Sequence, residues 1–123
     1  MVLVTYNKRQ RLLYMHYLQR VSPADLDVSH DELKAALAEL PPDFRLLADL
    51  SQLEYMDPAC SVEMGRAMDL ISQHGVGLIL RVIPDASKDI GLNILTIFHY
   101  PNHPRIISCE NLPAALRKLA LWK

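Results

Sequence analysis

Leu46-Leu47-Ala48-Asp49-Leu50-Ser51-Gln52-Leu53-Glu54-Tyr55-Met56-Asp57-Pro58-Ala59-Cys60 is the stretch on which the fold depends. Its first residues complete a short, mostly apolar run, Phe44 to Leu50, of strand length. Such a run is buried on both faces, as a central strand of a parallel sheet is. Its last residues read as a helix start. Asp57 suits the N-cap, where a side-chain oxygen takes up an orphan backbone N–H, and Pro58 at the first helical position loses no donor that the helix needs. Beyond it, Cys60, Met64, Ala67, Met68 and Ile71 recur on one face, with Ser61, Arg66, Asp69 and Gln73 on the other. Gly75 is placed to end that helix.

Working outward, Val2 to Tyr6 and Leu12 to Leu18 read as strands across a polar turn at Lys8, Arg9 and Gln10. A connection that short allows only an antiparallel hairpin. Ser22-Pro23 reads as a turn, and Ser29 with Glu32 fits a capping box ahead of Leu33, Ala36, Leu37 and Leu40. Pro41-Pro42 stops that helix. Downstream, Val76 to Ile83 is a second buried strand, Ser87 to Phe98 a helix, Arg105 to Cys109 a last strand and Leu112 to Trp122 a closing helix, with Leu116, Leu119 and Ala120 inward. The order ββαβαβαβα predicts an α/β fold: a mixed, mostly parallel sheet of about five strands with helices packed on it.

The 123 residues suit a single domain, 1–123, and at 50% hydrophobic they suffice for a core. Thirteen Lys and Arg stand against 14 Asp and Glu, a formal charge of −1, which argues against nucleic acid as a partner. Two cysteines make no disulfide framework and suit a reducing cytoplasm. No signal-like segment or apolar run of membrane-spanning length is present, so a cytoplasmic protein is expected.

The stretch quoted first also resembles the signature of STAS domains, found in anti-sigma-factor antagonists of the SpoIIAA kind and at the ends of sulfate transporters. That signature is a strand ending in Asp-Leu-Ser, a short apolar loop, then Asp followed by small residues opening a helix. Asp49-Leu50-Ser51 matches the first part and Tyr55-Met56-Asp57 the second. His74-Gly75 before Val76 to Val82, and Glu110-Asn111-Leu112-Pro113-Ala114-Ala115-Leu116, are also similar to the family, so the resemblance runs from Leu12 to Leu116. It implies a STAS, SpoIIAA-like fold and a regulatory module without catalysis or cofactor. The partner it implies is a protein: an anti-sigma or other signalling protein, or another STAS domain. The positions equivalent to the family's phosphorylation motif are Asp49, Asp57, Pro58, Ala59 and Cys60. In the antagonists a serine follows the aspartate and is phosphorylated; here Pro58 and Ala59 carry no hydroxyl and Cys60 replaces the motif glycine. A switch that adds roughly −1.5 to −2 charges at a helix start cannot operate there. Ser51 and Ser61 lie nearby but off that position.

Other residues invite chemistry. Asp49, Asp57 and Asp85 sit at or just past strand ends, the edge where open α/β sheets bind ligands. They hold Mg²⁺ or act as acid and base, or else Asp57 caps a helix and the others satisfy loop amides; no phosphate-binding glycine loop or lysine accompanies them. No metal is therefore expected. Cys60 in a first helical turn is either an activated thiol or, beside Met64 and Met68, a small buried hydrophobe; Cys109 reads as core. His99 and His103 are four apart but Pro101 separates them, and His74 stands elsewhere, so they read as loop histidines.

Two functional readings follow. In the first, a protein partner docks on Asp57, Ser61, Val62 and Asp69, or on Leu92 and Leu95 of the helix Ile90 to Phe98. That helix is apolar nearly all round, and either packs under the final helix and the His99 to Pro104 loop or forms an interface, including that of a homodimer. In the second, by comparison with Sec14-type domains, Met15, Met56, Ile94 and Phe98, with Tyr14, Tyr17, Tyr55, Met64 and Met68 near, line a pocket for a small lipophilic ligand. No nucleophile with its base can be assembled, so no enzyme is expected.

Overall fold

The computed structural model describes residues 1–83, 99–101 and 104–121. Strands β1 (Val2–Asn7) and β2 (Leu12–Tyr17) form the expected antiparallel hairpin, with Val4 opposite Met15. Three-residue β3 (Gln19–Val21) leads into helix α1 (Pro23–Ala38). Then come β4 (Arg45–Asp49), β5 (Leu53–Met56), α2 (Cys60–Gln73), β6 (Leu78–Val82), β7 (Arg105–Cys109) and α3 (Leu112–Leu121). The helix expected over Ser87 to Phe98 falls outside the described residues, and with it Asp85, Leu92, Leu95 and Ile94. His103 also lies outside them.

The main sheet has the order β1-β2-β4-β6-β7, parallel throughout except for β1. This is the mixed, mostly parallel five-stranded sheet that the sequence predicts. Its central strands are buried on both faces. From Leu46 to Asp49, and at all five positions of β6, every residue is buried. Alternation assigns the faces. Leu13, Met15, Leu46, Ala48 and Ile79 meet Leu26, Leu33 and Leu37 of α1 and Met64, Ala67, Met68 and Ile71 of α2. Leu47, Leu78, Leu80 and Val82 meet Ala115 and Leu119 of α3. Each fully buried leucine removes enough apolar surface from water to contribute about 1.5–3 kcal/mol.

Three local expectations need correcting. First, β3 and β5 form a small parallel sheet of their own, which the order ββαβαβαβα lacks. They are three and four residues long, too short for alternation to register. Second, α1 begins two turns earlier than expected. Ser22 is its N-cap: the Ser22 hydroxyl accepts from Asp25 N, the Asp25 carboxylate accepts from Ser22 N, and Pro23 starts the helix. Ser29 is buried inside the helix, its hydroxyl donating to Leu26 O at 2.8 Å, so it is no cap. Third, α2 opens at Cys60 rather than immediately after Asp57. Its N-cap is Ala59, which has no side-chain hydrogen bond to offer. Its end is as expected, with Gly75 at φ 83°, a backbone conformation glycine adopts at little cost.

Candidate functional site

The segment from Asp49 to Val62 joins the carboxyl end of β4 to α2, and each part of it is held by main-chain bonds. Leu50 N donates to Val82 O at 2.9 Å, which ties the end of β4 to that of β6. Asp49 is buried, and its Oδ1 accepts from Ser51 N at 2.9 Å and from the Ser51 hydroxyl at 2.6 Å. It therefore closes the turn that starts β5. Its other oxygen lies 3.8 Å from His16 Nδ1. The His16 ring in turn stacks on Tyr14, with centroids 3.9 Å apart. Burial and the Asp49 carboxylate push the Tyr14 phenol above its usual range.

β5 then runs beside β3, and Asp57 N donates to Val21 O. The Asp57 carboxylate accepts from Ala59 N at 2.9 Å, and Asp57 O accepts from Cys60 N at 2.8 Å. These bonds fold Asp57-Pro58-Ala59 into a tight turn whose three side chains are exposed. Ser61 and Val62 continue the exposed surface along α2, with Val62 68% exposed. Tyr55, 47% exposed, carries the Arg20 guanidinium over its ring at 5.1 Å. Such a contact adds about 0.5–1 kcal/mol at an exposed site. The result is a ridge, apolar at Tyr55 and Val62, with a single acid at Asp57 and no hydroxyl between Asp57 and Cys60.

The structure sorts the sequence candidates. Asp49 and Asp57 are engaged separately, one with Ser51 and His16, the other with Ala59, and both satisfy turn amides. Among the described residues, no three His, Cys, Asp or Glu side chains converge as metal ligands would. Cys60 is 1% exposed, with its thiol directed at Val21 O at 3.5 Å, and burial pushes its pKa up, against activation. Cys109 is likewise buried with its pKa raised. Asp69, expected to be free on the surface, is half-buried and bonded at 2.7 Å to His99 Nδ1. The His99 ring fits there because Gly65 has no side chain: an added Cβ would lie 2.5 Å from the ring. His74 is exposed at the C-cap of α2.

Met15 is 1% exposed and packed in the main core, and Met56 is half-buried. Tyr17, Met64, Met68 and Tyr100 border a cavity of about 30 Å³. It has room for a water, against the roughly 300 Å³ or more of a small-molecule site. Two further features have no signature in the sequence. His30 of α1 is buried with Nε2 2.8 Å from Glu63 of α2, and this hydrogen bond holds the Glu63 carboxyl below its usual range. Arg81 is 3% exposed beside that small cavity. Partners 33 residues apart carry no local signal.

No helix among the described residues is long and apolar enough to cross a membrane. No family model matches the chain, and no curated protein matches it. Solved structures do. The chain is similar to a protein from Shewanella loihica, of a family without assigned function and with a SpoIIAA-like fold, at 13% identity, TM-score 0.70, covering 97% of this chain and 92% of that one. It is also similar to the anti-sigma factor antagonist SpoIIAA in its unphosphorylated form, at 10% identity, TM-score 0.59 and 98% of both chains. The phosphorylated form of SpoIIAA, the Bacillus cell fate determinant, aligns at 10% identity and TM-score 0.57, over 97% of this chain and 99% of that one. The fold of this chain is thus the SpoIIAA-like fold.

Proposed function

We propose that the chain is a single, non-catalytic, cytoplasmic STAS-like regulatory domain that binds a protein partner through the ridge from Tyr55 to Val62, without phosphorylation at the family position. One observation carries this reading. On a fold shared with an anti-sigma factor antagonist, the segment between β5 and α2 is solvent-facing, has Pro58 where the sequence resemblance implies a serine, and carries exposed apolar side chains at both ends. Function resides in sites rather than folds, so the weight rests on the ridge itself. A rigid turn flanked by Tyr55 and Val62 offers a partner apolar anchors at little ordering cost, and Asp57 and Ser61 supply polar contacts at the rim. Among the described residues an enzyme reading has no support in the geometry, because neither buried thiol is activated and Asp49 is occupied in a turn.

The reading is tested with a photo-crosslinking side chain placed at Val62 and, as control, at the equally exposed Val28 of α1. Crosslinks to one defined protein in the host are expected from position 62 and not from position 28. Val62→Glu should then abolish the isolated complex while leaving the circular dichroism spectrum unchanged. Equal crosslinking from both positions, or an unaffected complex, would sink the ridge as the docking surface.

A further inference from the structure

Among the described residues, no strand pairs with the outer edge of β1. β1 is the terminal strand of the sheet, and its bonding can be read from the hairpin. Met1 and Leu18 exchange two hydrogen bonds, Met1 N to Leu18 O at 3.1 Å and Leu18 N to Met1 O at 2.8 Å. In an antiparallel pair, bonded and non-bonded positions alternate. Leu3, Thr5 and Asn7 therefore bond to β2, and the N–H and C=O groups of Val2, Val4 and Tyr6 point away from the sheet. Among the described residues, nothing pairs with them.

Folded proteins protect such edges with charges, prolines, bulges, very short strands or a covering helix or loop. β1 has none of the first four, and α1 packs on its Val2 and Val4 face. The strand is six residues long, regular in register from Val2 to Asn7, and its sequence Val-Leu-Val-Thr-Tyr-Asn has no charge, proline or glycine. Leu3 and Tyr6 are 45% and 47% exposed.

We propose that this edge pairs with β1 of a second copy of the chain, antiparallel about a two-fold axis at Val4, to make one continuous ten-stranded sheet. This is independent of the ridge reading. The register follows from the outward groups. Val4 faces Val4 of the partner copy, and Val2 faces Tyr6 in both directions, so every outward donor and acceptor finds a mate. Leu3 of one copy then lies across from Thr5 of the other on the face away from α1, where both are exposed. The absence of charge favours a second copy over other occupants. Self-pairing sets each residue against its own strand, and a lone charged side chain near the axis would meet its like. A formal charge of −1 also leaves little repulsion between copies. An isologous two-fold contact closes on itself and does not propagate into fibres.

The test combines sedimentation with amide exchange on the intact chain. A concentration-dependent dimer is expected, in which the Val2, Val4 and Tyr6 amides exchange roughly tenfold or more slowly than in dilute monomer. Leu3→Lys/Thr5→Lys sets lysine across from lysine and should give a folded monomer. Leu3→Glu/Thr5→Lys sets glutamate across from lysine in this register and should remain a dimer. A wild type still monomeric at about 500 µM, well above typical dissociation constants, overturns the proposal. So does a dimer whose Val2, Val4 and Tyr6 amides exchange freely, and so does a dimer that both double variants leave unchanged. The exchange measurement on the wild type decides the matter even where a variant fails to fold.

Discussion

The two helices on the same face of the sheet follow four-residue stretches that share a central Pro-Ala, and they end up with different starts. Ser22-Pro23-Ala24-Asp25 opens α1, and Asp57-Pro58-Ala59-Cys60 precedes α2. In the first, serine and aspartate satisfy each other's backbone donors, and the helix begins at the proline. In the second, the fourth residue has no carboxylate to reach back. Asp57 spends its carboxylate on Ala59 N, Asp57 O takes Cys60 N, and the helix begins three residues after the aspartate. The difference lies in what the fourth side chain does. Asp25 stays at the surface and bonds locally, whereas Cys60 turns inward to the β3 main chain. One start is closed by its own side chains. The other is held by packing and leaves its turn exposed to solvent.

Substitutions at these two starts can break that comparison or sharpen it. The largest effect is expected from Cys60→Asp, which writes the α1 pattern into α2. A carboxylate would replace a thiol that is 1% exposed, with Asp57, Asp25 and Glu63 already raising the local cost of negative charge. A loss of about 3 kcal/mol or more is expected in urea unfolding, typical of a buried unpaired charge. A neutral outcome would mean that burial of position 60 is not what separates the two starts.

Ser22→Ala should come next, at about 1 kcal/mol, the usual worth of an N-cap side chain. Asp57→Ala, made in parallel, should cost less, because its side chain bonds within an exposed turn and caps no helix. Equal losses would show that the two aspartate and serine positions do the same work.

The smallest effect is in the acid limb of stability. The Asp25 carboxyl is held below its usual range chiefly by the hydrogen bond from Ser22 N. A depressed folded pKa contributes stability above the unfolded carboxylate pKa of about 4, which is lost as pH falls through the folded value. Asp25→Asn should flatten the fall in Tm in that acid range relative to wild type. An unchanged acid slope would remove the reciprocal bond from the account of α1.

These starts also show what the sequence made legible. Strand-length apolar runs at Phe44 to Leu50 and Val76 to Ile83 were readable because a strand covered on both faces needs apolar residues at nearly every position. The start of α1 was not readable. Its box has aspartate where the common pattern has glutamate or glutamine, while Ser29 and Glu32 fit that pattern seven residues later inside the helix. The pairing of β3 with β5 depends on contacts between short segments far apart in the chain. At the candidate site, the missing hydroxyl at Pro58 is legible through the family resemblance, and the inward face of Cys60 through periodicity. The engagement of Asp69 by His99 was not, since it rests on the notch that Gly65 leaves.

The α2 crossover is fastened where its two strands begin. Asp43 N donates to Gly75 O at 2.7 Å, and Gly77 N donates to Phe44 O at 2.9 Å. Gly77 also has the Asp43 carboxylate lying where a Cβ would stand. These bonds lie beside the first rung of the β4–β6 ladder, Arg45 opposite Leu78. They bear on the order of events in folding. The β1–β2 hairpin closes over a four-residue turn, a matter of roughly microseconds. Parallel pairing of β4 with β6 must first bring together segments separated by all of α2, and long closures of that kind slow folding. Asp43, Gly75 and Gly77 stand at that closure, so changes there should alter the refolding rate.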